Sequence, residues 1–357
     1  MFLSISCGAA ATPSLGVDQC PYLTFQNTSL PPKTTNNRLR IPAVKMTRPK
    51  DSIAMSQLSP LEEMLKLAET EPDVFTTTAD HWRPPGGRGI FGGSIVAQSL
   101  AAAQKTVRDG FLCHSMHCQF LIVGNETIPA TFTVQRTRDG GSFVTRTVQG
   151  TQEGKCIFTS TLSFMRAISS EKQRVQHVPT LPSSRGSPPD ESITSTATAV
   201  APQLFPISIE KSNGQPEDAK LQTWIRAPRE IAQADDVEVQ QAILAYLSDW
   251  VSISITPYVL GLFDFPGGFS KGVETSSLEG SSVGMLSSLG HTIYFHAPAR
   301  IRADEWILLV GHSPWSGDER CLASARMFAK DGTLLATYVQ EGVIRLNGEP
   351  NSPGVKL

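Results

Sequence analysis

Residues 239–250, VQQAILAYLSDW, decide the fold, because they combine helical periodicity with an acid at the end of the run. Ile243, Leu247 and Trp250 fall at i, i+4 and i+7, which is one face of an α-helix. Asp249 lies off that face and ends a stripe of mostly small side chains. An acid is costly to bury without a partner. The stretch alone leaves two interpretations open, a solvated acid near a helix end and a functional carboxylate.

A second apolar, alanine-rich helix is predicted over residues 94–107, directly after Phe91-Gly92-Gly93. Glycine at this point lets a ligand or another backbone approach the free N–H groups of the first turn. The glycines therefore indicate either a helix start that binds a carbonyl group or close packing alone.

Predicted strands follow each helix in the same order. The first set covers residues 115–123, 129–138, 142–152 and 156–165, and the second covers 290–295, 306–311, 321–330 and 334–344. A further strand is predicted at 221–227, before the second helix. Asp139-Gly140-Gly141, Glu153-Gly154 and Asp331-Gly332 are turns expected between antiparallel neighbours. The pattern predicts an α+β fold of two units, each an antiparallel sheet wrapped around a central helix.

The two units differ at two core-facing positions. Aligning their helices and hairpin turns pairs Asp249 with Ala101, and Gln340 with Leu162. The second unit is therefore polar where the first is apolar. Because polar side chains in a core need a reason, Asp249 and Gln340 become candidate functional residues.

Composition excludes several classes of function. The chain has 357 residues, 40% hydrophobic and 18% charged, with a net charge of −2. These values give no support for nucleic-acid binding or a basic membrane-binding surface. No run of 18 apolar residues exists, so a membrane-spanning helix is not expected.

Histidine and cysteine lie close together at Cys113, His114, His117 and Cys118, which could suggest a metal site. In an alternating strand His117 and Cys118 point to opposite faces, so core packing of the cysteines is favoured. No metal and no cofactor are expected.

The expected organisation has five parts. These are an N-terminal extension, expected to be disordered, at 1–57, a first domain at 58–166, a linker rich in Pro, Ser and Thr at 167–220, a second domain at 221–347, and a tail at 348–357. Ordered structure should begin at Ser59-Pro60-Leu61-Glu62, a capping-box pattern with Pro at the first helical position.

Several segments resemble, in the same order, the acyl-CoA thioesterase II family of tandem, double-hotdog thioesterases. They are FGGSIVAQSLAAAQKTV, CHSMHCQFLIVG, RTRDGGSF, LAYLSDW, HTIYFHAP, DEWILL and DGTLLATYVQEGVIR. The similarity covers roughly residues 58–166 and 221–346. It implies two hotdog units, hydrolysis of a fatty or polyketide-like acyl-CoA to free acid and CoA, and a homodimer or homotetramer.

The resemblance also implies a catalytic set. In that family hydrolysis depends on an acid in the second helix, a hydroxyl residue before the following strand, and a glutamine in the last strand. These match Asp249, Ser288 and Gln340, with Ser287 and Thr292 as alternatives for the hydroxyl.

Such residues suit a thioester, whose thiol leaves without strong protonation, so one oriented water and a carboxylate base suffice. Asp249 is expected to be the base or water acceptor, while Ser288 and Gln340 fix the water. By analogy with other hotdog enzymes, N–H groups near Gly92 and Gly93 polarise the thioester carbonyl.

Other interpretations remain open. Hotdog dehydratases use a His/Asp pair, so a hydratase or dehydratase would require a histidine, such as His291, near the water of Asp249. A non-catalytic acyl-CoA binding subunit is a further alternative. Residues 268–272 match GxSxG, but the surrounding loop does not supply the strand-to-helix turn of a nucleophile elbow.

The expected location is the peroxisome or the cytoplasm. The last three residues, Val355-Lys356-Leu357, only weakly resemble the Ser-Lys-Leu peroxisomal signal.

Overall fold

The computed structural model describes residues 58–167, 175–182, 186–190, 199–205, 208–210, 215–228, 231–263 and 282–347. The predicted extension at 1–57, the tail at 348–357 and the GxSxG pattern at 268–272 lie outside the described residues.

The described chain contains four α-helices and thirteen β-strands, together with short 3-10 turns. The helices are α1 (Pro60–Leu65), α2 (Gly92–Lys105), α3 (Val237–Ser248) and α4 (Ile255–Val259). The strands before α3 are β1 (Leu67–Glu71), β2 (Val74–Thr77), β3 (Phe111–Phe120), β4 (Thr131–Asp139), β5 (Phe143–Gln152), β6 (Lys155–Arg166), β7 (Gln203–Leu204), β8 (Ser208–Glu210) and β9 (Lys220–Arg226). The strands after it are β10 (Ser282–Phe295), β11 (Ile307–Gly317), β12 (Arg320–Ala329) and β13 (Leu334–Asn347).

All thirteen strands belong to one antiparallel sheet. Its order is β1-β2-β4-β5-β6-β3-β10-β13-β12-β11-β9-β7, and β8 pairs with β9. The two halves join where β3 pairs with β10, with Thr292 opposite His117. The apolar sides of α2 and α3 share the core with the inner faces of both halves. The predicted double hotdog fold is confirmed.

Helix α3 is buried on all sides from Gln240 to Ser248. The predicted face with Ile243 and Leu247 is buried, and the other faces are buried as well, because the sheet and α2 enclose this helix. Asp236 caps its start by accepting hydrogen bonds from the N–H groups of Glu238 and Val239.

The predicted capping box is confirmed at α1, where Ser59 and Glu62 bond reciprocally. The Glu62 carboxylate is buried and also accepts hydrogen bonds from the N–H groups of Ala232 and Gln233, at 3.0 and 2.9 Å. The start of the first half is thereby fixed to the segment that leads into α3.

Helices α2 and α3 pack against each other in antiparallel orientation, with Gln104 near Glu238 at one end and Gly93 near Tyr246 at the other. A Cβ on Gly93 would lie 2.6 Å from the Tyr246 carbonyl oxygen. Because backbone blocks that position, the helices approach this closely only with glycine there.

The segment predicted as a linker carries β7 and β8, which pair with β9. Its apolar residues Leu181 and Phe205 pack on a small cluster around Trp224 and Trp306. This part of the chain thus adds to the sheet of the second half. The domain boundaries themselves stay a prediction.

Several strand boundaries differ from the predictions. The strand expected over 115–123 ends at Phe120, and the side chains of residues 121–123 are exposed. The strand predicted over 290–295 begins earlier, at Ser282, because it pairs with β13 as far as Asn347. Residues 264–281 lie outside the described part of the chain.

Cys113 and Cys118 are buried in the core, as predicted, whereas His117 is exposed on the outer face of the sheet. Within the described residues, none of the helices is long and apolar enough to span a membrane.

Candidate active site

Asp249 directly follows the last residue of α3 and is only 6% exposed. The carboxyl group lies where the end of α3 meets the start of α2, since a Cβ on Gly92 would be 2.8 Å from Asp249 Oδ2. The alternative of a solvated acid is therefore wrong.

Two groups donate hydrogen bonds to this carboxyl. Gln340 Nε2 donates to Asp249 Oδ1 at 2.9 Å, and the backbone N–H of Gly93 donates to the same carboxylate. Gly93 belongs to the first turn of α2, where N–H groups lack intrahelical acceptors and the helix dipole favours negative charge. Close packing at the two glycines is thus confirmed, while the alternative of a helix start that binds a carbonyl group stays a prediction.

Burial raises the pKa of Asp249 to about 7, and the hydrogen bonds from Gln340 and Gly93 oppose that rise. A carboxylic acid with a pKa near the working pH can accept a proton and release it again, which is what general-base catalysis requires.

Ser288 lies within β10, so its predicted position before the strand was wrong. Its hydroxyl oxygen accepts a hydrogen bond from Gln340 Nε2 at 2.7 Å. A β-bulge between Ser288 and Gly290 shifts the register, so that Ser288 and His291 both point inward although they are three residues apart. Without the bulge, strand alternation would place them on opposite faces.

The two alternative hydroxyl residues are placed elsewhere. Ser287 is adjacent to Ser288 and so points to the other face of β10. Thr292 shares a hydrogen bond of 3.3 Å with His117 on the outer face. Of the three hydroxyl candidates, the structure brings only Ser288 to Asp249 and Gln340.

His291 and Ser248 belong to the same network but were not predicted as site residues. Ser248 Oγ donates to the Ala245 carbonyl oxygen at 2.8 Å and therefore accepts from His291 Nε2 at 2.9 Å. Burial lowers the pKa of His291 to about 4, so the ring stays neutral. His291 is the strand partner of Gln340, and extending the alignment of the two halves to that partner would have found it.

Two buried acceptors in this network are left without a protein partner in the described structure. They are His291 Nδ1 and Gln340 Oε1. A buried amide oxygen with an open lone pair can accept a hydrogen bond from a water molecule. Gln340 thus binds Asp249 and Ser288 through its nitrogen, and its side chain also interacts with the His291 ring, which opposes the effect of burial on the pKa of that ring.

Aromatic side chains cover the same end of the helix pair. Trp82 stacks on Trp250 with ring centroids 5.0 Å apart, and Phe91 contacts both rings edge-on. They exclude water and lower the local dielectric constant, which contributes to the burial of the carboxyl. The sequence did show that Phe91 directly precedes α2 and that Trp250 comes just after α3. The spacing could not show that these two rings meet each other and Trp82.

An acid with a near-neutral pKa, a bifurcated amide, a hydroxyl group and a helix N-terminus therefore converge in one buried site. This set can hold a water molecule, remove its proton and stabilise an oxyanion, with no nucleophilic side chain required. Fold and site together define a hydrolase of the hotdog class.

Comparison with known families narrows this class. Residues 78–165 match the acyl-CoA thioesterase N-terminal domain, and residues 176–344 match the acyl-CoA thioesterase C-terminal domain. The chain belongs to the acyl-CoA thioesterase family.

The alignments with individual relatives cover most of this chain and most of each relative. Human acyl-coenzyme A thioesterase 8 is 32% identical over 79% of this chain and 88% of its own. Peroxisomal acyl-coenzyme A thioester hydrolase 1 of Saccharomyces cerevisiae is 26% identical over 84% of this chain and 98% of its own. The crystal structure of acyl-CoA thioesterase II TesB2 from Mycobacterium marinum has a TM-score of 0.61 and 28% identity, covering 82% of this chain and 99% of that one.

The raised pKa of Asp249 predicts that the difference in stability between the wild type and Asp249→Asn depends on pH. A folded-state pKa of about 7 against an unfolded value near 3.8 means that the native state loses stability as pH rises between those values. Asp249→Asn removes that charge and keeps an acceptor for Gln340. Its Tm should exceed that of the wild type by several degrees at pH 8, and the difference should shrink towards pH 5.

The control is Asp331→Asn, because hydrogen bonds from Thr333 lower the pKa of Asp331 and reverse the sign. This variant should be less stable than the wild type at pH 8 and approach it in acid. A Tm difference for Asp249→Asn that does not change with pH would contradict the assignment.

Ser288→Ala should lower kcat roughly 10²-fold with little effect on Tm, because it removes a hydroxyl beside the water position. Ser287→Ala is the matched control on the opposite face and should leave kcat unchanged. Steady-state kinetics of both variants are the measurement, and equal losses would show that Ser288 has no special position.

Proposed function

We propose that the chain hydrolyses the thioester of a fatty or polyketide-like acyl-CoA to free acid and CoA by direct attack of one water molecule. Family membership supports the acyl-CoA hydrolase activity. The observation that carries the mechanism is the single amide nitrogen of Gln340, which binds both Asp249 Oδ1 and Ser288 Oγ.

In the proposed reaction the water is held between the Asp249 carboxylate and the Ser288 hydroxyl, both of which Gln340 positions through its amide nitrogen. Asp249 takes one proton as the water oxygen forms its bond to the acyl carbon. A positioned base of this kind typically contributes about 10²–10⁴-fold. The pKa of Asp249 near 7 allows it to accept this proton at neutral pH.

The carbonyl oxygen of the thioester becomes an oxyanion in this step. Gly93 already donates its N–H to Asp249, which leaves the N–H of Gly92, the first residue of α2, as the proposed oxyanion donor. The tetrahedral intermediate then expels CoA as a thiolate. Because a thiol has a pKa near 8.5, this leaving group departs without strong protonation.

The hydratase and dehydratase alternatives have no supporting observation in the site. They would require a histidine acting with Asp249, whereas His291 directs Nε2 to Ser248. The non-catalytic alternative is not favoured either, because Asp249, Ser288 and Gln340 are all present and connected.

Self-association and location also belong to the proposal. The outer face of the sheet exposes Tyr294 at 42%, beside His117 on the central strands, and Phe143 at 46%, beside His114. These aromatic side chains support pairing of two or more copies there. Light scattering should give at least twice the monomer mass. The yeast relative named above supports a peroxisomal location, the cytoplasm is the alternative, and microscopy of a tagged protein distinguishes the two.

The activity is tested by measuring free CoA released from acyl-CoAs of graded chain length. The wild type should turn over at least one class, with kcat/KM rising through about pH 7, and Asp249→Asn should lose about 10²–10⁴-fold. Substrate binding without CoA release would favour the binding-subunit alternative. A product hydrated at the acyl chain would favour the hydratase.

A further inference from the structure

A surface cavity of about 480 Å³ lies between the loop that leads into α2 and the segment that follows β3. Arg83 and Arg88 line one side, and residues 123–127 line the other. The hydrolytic mechanism above uses none of these residues.

The cavity carries uncompensated positive charge. Arg83 Nε lies 3.1 Å from the Glu126 carboxylate, so one arginine is paired. Arg88 is exposed, and no carboxylate of the described structure lies within ion-pair distance of it. A guanidinium group presents several donors in a planar fork that fits phosphate oxygens.

Three consecutive aliphatic side chains are exposed next to this cavity. Leu121, Ile122 and Val123 are 53%, 55% and 51% exposed. Isolated exposed apolar residues are ordinary, but a contiguous run on a monomer surface indicates a contact with something else.

The exposed run connects the cavity to the catalytic site. The Phe120 ring lies 3.0 Å from the position of a Cβ on Gly92, and that position is 2.8 Å from Asp249 Oδ2. Four residues further along, the Gly124 carbonyl accepts a hydrogen bond from Ile90 N at 3.1 Å. Gly124 lines the cavity together with Arg83 and Arg88. A track from Phe120 to Gly124 therefore runs from the reacting carboxyl to the arginines.

We infer that this track binds the CoA part of the substrate, with phosphate groups at Arg83 and Arg88 and the pantetheine arm over residues 121–123. The inference rests on the proposed function for the placement of the thioester at Gly92. The parts of an acyl-CoA match this track in order. The thioester carbonyl lies at the helix start, the partly apolar pantetheine arm covers the aliphatic run, and the anionic phosphates lie beside the Arg88 guanidinium.

The test compares an acyl-CoA with the corresponding acyl-pantetheine, which keeps the arm and lacks the nucleotide phosphates. The double variant Arg83→Gln/Arg88→Gln should raise KM for the acyl-CoA about 10-fold or more, with kcat within twofold. KM for the acyl-pantetheine should not change. Arg300→Gln, which removes an exposed arginine paired with Asp331, is the matched control and should alter neither value.

An unchanged KM for the acyl-CoA, or an equal rise for both thioesters, would overturn the inference. Direct titration of CoA into the wild type and the double variant separates this result from failure of the proposed function. If no thioester is hydrolysed, weaker CoA binding by the double variant still supports the site, and equal binding rejects it.

Discussion

The burial of one carboxyl group against the start of a neighbouring helix is the constraint on which the site depends. Asp249 is almost fully enclosed, and desolvation of its charged form must be offset by fixed donors. Gly93 supplies a backbone N–H, and Gln340 supplies an amide N–H. The Gly93 donor reaches the carboxyl because glycine at the helix crossing lets α2 approach α3 so closely. Burial thus raises the pKa of the acid, and the two donors limit that rise.

The two halves of the sheet divide structural and chemical roles. Leu162 lies eight residues after its hairpin glycine and pairs with Met116, and both are fully buried and apolar. Gln340 holds the same place in the second half and pairs with His291. At the start of α3, Gln241 is fully buried and donates to a backbone carbonyl of β3. Apolar side chains therefore fill this space in the first half, whereas the second half uses the equivalent space for polar chemistry.

The alternation of helix and meander was enough to predict the fold, and the polar substitutions in the second half were enough to single out Asp249 and Gln340. The resemblance to a known family supplied Ser288. The bulge in β10 could not be predicted, because it depends on pairing with β13 and not on the residues of β10 alone. The complete burial of α3 was missed for a similar reason, since local periodicity does not show that the sheet encloses it.

Direct water attack is tested most closely by a single turnover in ¹⁸O-labelled water with enzyme in excess over acyl-CoA. If Asp249 activates the water, the label must appear in the released acid and the peptide that contains Asp249 must stay unlabelled. If Asp249 instead attacked the acyl carbon, an anhydride would form, and its hydrolysis at the aspartyl carbon would leave the label in the protein. Mass spectrometry of both products decides, and label in Asp249 would contradict hydrolysis by a single oriented water.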